Sequence, residues 1–246
     1  MKNRNLFVLL VSFFSLFAYL YEYILVDENI YFGFYAEQLT YEQIEDMLAN
    51  GKKWEWLSYA IIPFFYAIKL CLVAGCLSIG ALFVSNRFEF KKMWGAALVA
   101  EFVFIVPIIL KILWFAFIQT NYTLKDLQLF YPLSLLNLFD VGSVEPWLLY
   151  PLQVFNVFEV VYWLLLAWGV AQPPPPESSD RPMGELTTSQ ELVQPLNRFG
   201  RPPLNGTLSN DNEMTFGAAL QLVLVSYGLG LLVWVALVMF LTLSYS

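Results

Sequence analysis

Long apolar runs separated by short polar intervals dominate this chain, and the runs have the length of a bilayer crossing. Five of them reach the roughly 20 apolar residues that a helix needs to cross the hydrocarbon layer. They cover about residues 5–26, 57–84, 95–118, 147–171 and 215–243. The pattern predicts an all-α integral membrane helical bundle with five transmembrane helices. Residues 1–171 form a four-span membrane region with outer loops at 27–56 and 119–146. Residues 215–246 hold the fifth helix.

The polar intervals differ in character. Loop 27–56 is acidic, with Asp27, Glu28, Glu37, Glu42, Glu45, Asp46 and Glu55 against Lys52 and Lys53. Thr40 is placed to cap a short helix from Tyr41 to Asn50 that Gly51 would stop. In loop 119–146, Leu124, Leu127, Tyr131 and Leu135 recur at helical spacing. This predicts a helix on the membrane surface, bent at Pro132; a re-entrant segment lining a pore is the alternative. Residues 172–214 open on Pro173 to Pro176 and continue in Ser, Asn, Gly and Pro, which predicts a disordered cytoplasmic linker.

Composition agrees with a membrane class. Of 246 residues, 59% are hydrophobic and 13% charged, where a soluble domain carries about 25% charged. The formal net charge of −7 argues against a nucleic-acid partner, since the sequence has no basic stripe to neutralise phosphates. Lys and Arg set the orientation. Lys2, Arg4, Arg87, Lys91, Lys92, Arg181, Arg198 and Arg201 fall on one side of the alternation, and Lys52, Lys53 and Lys125 on the other. By the positive-inside rule the N-terminus is cytoplasmic and the C-terminus external. The first run is too long for a secretory h-region and is read as a retained span.

The candidate chemistry lies in ionisable side chains inside apolar runs, since such groups must be paired, protonated or facing a cavity. They are Lys69, Glu159, Lys111, Glu22 and Glu101. Counted from the outer ends of their runs, Lys69 and Glu159 both lie about twelve residues, or about 18 Å, deep. Matching depth predicts a Lys69–Glu159 pair, either a structural bridge or a relay. Lys111 and Glu22 lie nearer the outer face and can meet or snorkel separately, and Glu101 is placed to reach the cytoplasmic headgroups. Gln153 and Asn156 add uncharged polar groups near Glu159.

Catalytic signatures are missing from the sequence. It has no G-x-S-x-G, no H-E-x-x-H and no Walker A run, and it contains no His. Ser78 and Lys69 are nine residues apart on one helix, about 13 Å by rise, too far for a nucleophile and its base. Cys71 and Cys76 lack the spacing of a zinc or redox pair. No enzymatic activity, metal or cofactor is expected.

The fourth and fifth runs resemble the Yip1-like family of five-span membrane proteins. The residues that carry the resemblance are Leu136-Asn137-Leu138-Phe139-Asp140, Asn156-Val157-Phe158-Glu159-Val160-Val161-Tyr162-Trp163 and Ala167-Trp168-Gly169-Val170. It implies five spans with a cytoplasmic N-terminus and, in eukaryotic members, a trafficking role with Rab-type GTPases. The acidic outer loop and the long interval before the last span depart from that pattern, and no site residue carries over. The resulting expectation is a multi-pass membrane protein, in the plasma membrane if the chain is bacterial. It would serve as a non-enzymatic scaffold or assembly factor whose partners are the lipid bilayer and other membrane proteins. The alternative is a small transporter or transporter subunit using Lys69 and Glu159.

Overall fold

Each apolar run is helical in the computed structural model, which describes residues 3–85, 88–172 and 214–245. The first is α1, Asn3–Leu25. A short α2, Glu28–Tyr35, leads into α3, Tyr41–Ser85. The third run is α4, Phe90–Ala100, and α5, Ile105–Leu113, joined by a 3₁₀ turn at Glu101–Phe104 and continued by a π-helical turn at Trp114–Ile118. After α6, Leu124–Leu129, the fourth run forms two helices, α7, Pro146–Val154, and α8, Val157–Ala171. The last run is α9, Phe216–Val223, and α10, Leu229–Tyr245, joined by a π-helical turn at Leu224–Gly228. Four of these stretches are long and apolar enough to cross a membrane: Asn3–Leu25, Tyr41–Val84, Phe90–Ile118 and Phe216–Ser244. The fourth run falls short as a single helix because it breaks at Phe155 and Asn156. The expected linker, 172–214, lies outside the described residues apart from its two ends.

The short outer helix predicted to stop at Gly51 instead continues as one helix of 45 residues. A mid-helix glycine costs only about 1 kcal/mol, and residues 52–57 are helix-compatible, so continuing through Gly51 keeps the backbone hydrogen bonds around it. At 1.5 Å per residue α3 is about 68 Å long, more than the whole bilayer with its headgroups. A helix of that length outruns the apolar zone of a bilayer, and Trp54 and Trp56, near the start of its apolar part, are exposed. There α2 packs on α3, with a Lys52–Glu28 ion pair and a stacked Phe32–Tyr41 pair at 4.8 Å.

One apolar core holds the bundle together. It takes Leu10 and Phe14 from α1, Leu70 and Leu77 from α3, Ala97 and Leu98 from α4, Tyr162 and Leu166 from α8, and Leu222 from α9. Small residues bring the helices close. A Cβ on Gly169 of α8 would sit 2.7 Å from Ala96 Cβ on α4, and one on Gly80 would sit 2.7 Å from Ser226 Cβ. A second cluster, Leu25, Ile112, Phe115 and Leu127, ties α1 to α5 and α6. The outward faces, such as Val233 and Phe240 on α10, are exposed and apolar.

The surface helix predicted from Leu124, Leu127, Tyr131 and Leu135 is shorter than expected. A capping box between Thr123 and Asp126 starts α6, but Phe130 is already extended. Pro132 disfavours helical backbone at the residue before it, so the helix stops there. The loop then turns against the break in the fourth run. Leu135 N–H donates to Phe155 C=O (2.9 Å) and Val157 N–H to Leu133 C=O (3.2 Å), framing a single antiparallel bridge between Ser134 and Asn156. Leu133 has φ 55°, an uncommon conformation for a residue with a side chain, and it sits at this junction.

Asn156 holds both sides of the break. Its Nδ2 donates to Gln153 C=O (3.1 Å) and Val154 C=O (2.8 Å), closing the end of α7, and its Oδ1 accepts from Glu159 N–H (2.9 Å), opening α8. Asn156→Leu keeps the volume and strands all three backbone groups. Each buried unsatisfied group costs about 1–3 kcal/mol, so thermal unfolding in detergent should show a clear loss of stability. A melting temperature equal to that of the parent protein would show that the break is held by other contacts.

Candidate functional site

The polar side chains within the apolar region gather where α3, α4, α8 and α9 meet. Lys69 of α3 forms an ion pair with Glu101, the first residue of the 3₁₀ turn after α4. Glu101 is fully buried, and the Lys69 side chain is 44% exposed. The ammonium also lies over the ring of Phe104 at 4.4 Å and that of Tyr162 at 5.9 Å. The tightened turn has a covalent cause. Pro107 offers no N–H to Val103 and crowds its carbonyl, so the preceding residues shorten their hydrogen-bond pattern.

The predicted partner of Lys69 is thus replaced. Lys69 pairs with Glu101, and Glu159 stays beyond ion-pair distance of it. Two local features account for the difference. The third helix begins at Phe90 rather than near residue 95, which places Glu101 about 17 Å along it, at mid-span and away from the headgroups. The fourth run breaks just before Val157, so an unbroken rise from Trp147 misplaces Glu159.

Glu159 finds neutral partners instead. Only 7% exposed, it accepts from Trp163 Nε1 one turn later (2.8 Å) and from the Tyr227 hydroxyl in the π-helical turn after α9 (2.9 Å). Tyr162 lies between the two carboxylates, with its ring 5.0 Å from Phe104 and 5.5 Å from Tyr227. Its buried hydroxyl faces Glu101. Neither that hydroxyl nor Glu101 Oε2 has a hydrogen-bond partner of ordinary geometry among the described residues. Tyr131, in the loop after α6, belongs to the same neighbourhood. Burial pushes its hydroxyl up to about 12, and the charges of Glu159 and Glu101 add to the effect.

The remaining predicted residues lie apart. Glu22 accepts from the Tyr59 hydroxyl at 2.8 Å, which joins the C-terminal part of α1 to α3. Lys111 donates to Leu127 C=O and lies 5.3 Å from the ring centre of Tyr21. Lys111 and Glu22 do not meet. Ser78 donates to Ala74 C=O at 2.6 Å, which occupies its hydroxyl within its own helix. No group of three or more His, Cys, Asp or Glu side chains gathers to hold a metal among the described residues.

Sequence reasoning missed the parts played by Trp163, Tyr162, Tyr227 and Asn156. A signal for the last was present, because Asn followed three residues later by Glu is a helix-start pattern. Tyr227 lies 68 residues beyond Glu159, and no spacing rule could have joined them. Fold and cluster together define an all-helical protein, compatible with a membrane, with an ionic and tyrosine-rich cluster among its apolar helices. No family model matches the chain, and neither a curated protein nor a solved structure does.

The pairing can be read by a double-mutant cycle in detergent. Glu101→Gln should cost about 2 kcal/mol, between the values for exposed and fully buried pairs because Lys69 is half-exposed. Adding Lys69→Met should restore part of that loss, whereas Lys69→Met combined with Glu159→Gln should be close to additive. Strong coupling of Lys69 to Glu159 and none to Glu101 would reverse the assignment.

Proposed function

We propose that this chain is a five-span, non-enzymatic membrane protein that acts as a scaffold or assembly factor for other membrane proteins. The Yip1-like resemblance agrees with five spans and a cytoplasmic N-terminus. In this reading α7 and α8 cross the membrane as one broken span, since α8 packs along α9 and α7 along α10, the two halves of the last helix. The N-terminus is cytoplasmic and the C-terminus external.

The observation that carries the reading is that the deepest carboxylates are engaged from within. Glu101 is fully buried against Lys69, and Glu159 is held by Trp163 and Tyr227. A translocation pathway needs ionisable groups that meet water or cargo, whereas groups closed on each other fix the register of neighbouring helices. The long α3 projection with α2 packed on it provides a rigid acidic surface outside the apolar zone, suited to a partner.

One feature favours the transporter alternative. The fourth span is discontinuous beside Glu159, and broken helices frame substrate sites in many transporters. Two experiments separate the readings. Cross-linking in native membranes, followed by purification and mass spectrometry, should recover the same membrane protein in stoichiometric amount, from the parent and from Glu159→Gln alike. Proteoliposomes should show no proton or ion flux above empty vesicles; a flux abolished by Glu159→Gln would establish transport instead.

Topology has its own test. In a Cys71→Ala, Cys76→Ala background, single cysteines at Ser246 and at Ser189 should be labelled from opposite sides of the membrane. Labelling from the same side would contradict five spans.

A further inference from the structure

A cavity of about 330 Å³ opens between α1, α3 and α5, roofed by Tyr131 and Pro132 of the loop after α6. That volume lies at the small end of ligand pockets. Its walls are apolar, with Phe17, Ala18 and Ile108 among them, and Lys111 lines it as the one cationic group. The Lys111 ammonium has three donors. One goes to Leu127 C=O, and the ring of Tyr21 lies beside it. No carboxylate comes within ion-pair distance of it among the described residues. Glu22, next to Tyr21 on α1, is engaged by Tyr59. A half-buried cation without a counter-charge beside an apolar cavity is half of a recognition site, and the missing half is an anion joined to an apolar body.

Depth narrows the chemistry. Lys111 lies seven residues before Ile118, where its helix ends, or about 10 Å by rise. A lysine stem spans much of that distance, so its ammonium can meet a phosphate just below the interface. Tyr21, Tyr66 and Tyr131 also line the cavity, and their hydroxyls donate no hydrogen bond to the described residues, so they remain free to turn toward ester or phosphate oxygens. We propose that this cavity binds an anionic phospholipid, with part of one acyl chain between α1, α3 and α5 and the headgroup phosphate paired with Lys111. The proposal does not depend on the scaffold reading, because the cavity lies apart from the Lys69, Glu101 and Glu159 cluster.

Native mass spectrometry of the delipidated full-length protein tests it, with phosphatidylglycerol, phosphatidylcholine of the same chains and oleate titrated separately. The parent protein should retain one phosphatidylglycerol in preference to phosphatidylcholine. Lys111→Gln should lower phosphatidylglycerol affinity by about tenfold, the loss of one charge-assisted hydrogen bond, and remove the preference. Lys111→Arg should keep it. Ala18→Phe, which fills the cavity and leaves the charge, should weaken both lipids, and Lys53→Gln on the exposed part of α3 should change nothing. Equal retention of the two phospholipids by the parent, or unchanged binding in both Lys111→Gln and Ala18→Phe, would overturn the proposal. Tighter binding of oleate than of phosphatidylglycerol would also overturn it, in favour of a free fatty acid site.

Discussion

A backbone amide or carbonyl among apolar side chains needs a partner, and the break in the fourth run is where this chain meets that constraint. A helix interrupted at Phe155 and Asn156 frees donors and acceptors in the middle of an apolar stretch. Asn156 takes three of those groups with one side chain, and the loop after α6 takes two more through Leu133 and Leu135. Loop 119–146 is therefore bound to the bundle for a backbone reason. Its course in turn roofs the cavity between α1, α3 and α5 and brings Tyr131 toward the buried carboxylates.

The same logic governs the charges. Lys69 and Glu101 meet because α3 packs against α4 and the 3₁₀ turn that follows it, and each lowers the cost of the other. Glu159 has no cation within ion-pair distance among the described residues, and two neutral donors hold it. The break and the carboxylate are linked, since Asn156 accepts from the amide of Glu159 itself. Loss of the cap would thus loosen the carboxylate as well as the helix end. The small contacts at Gly169 and Gly80 set how closely α8 and α9 approach α4 and α3, and so whether Tyr227 reaches Glu159.

Much of the helical framework was legible in the sequence, because apolar run length is a direct consequence of bilayer thickness. Four of the runs form helices long and apolar enough to cross a membrane, and the fourth run appears at its predicted place as two pieces. The site was legible in its members and illegible in its pairing. Depth counting treats every run as an unbroken rod with known ends, and here one rod starts five residues early and another is broken. The rigid continuation through Gly51 was missed because a glycine punctuates only where the alternative costs less than about 1 kcal/mol. The tyrosine and tryptophan partners of Glu159 come from neighbouring turns and a distant helix, and composition alone cannot sort them from lipid-facing aromatics.

Hydrogen exchange in lipid nanodiscs addresses the central claim most directly, through peptides covering residues 133–137 and 155–160. If the break is closed by Asn156 and the loop, the amides of Leu135, Val157 and Glu159 should exchange as slowly as those within α8. Exchange on the timescale of an open loop, with α8 itself protected, would mean that the break is solvated and that the loop does not seal it.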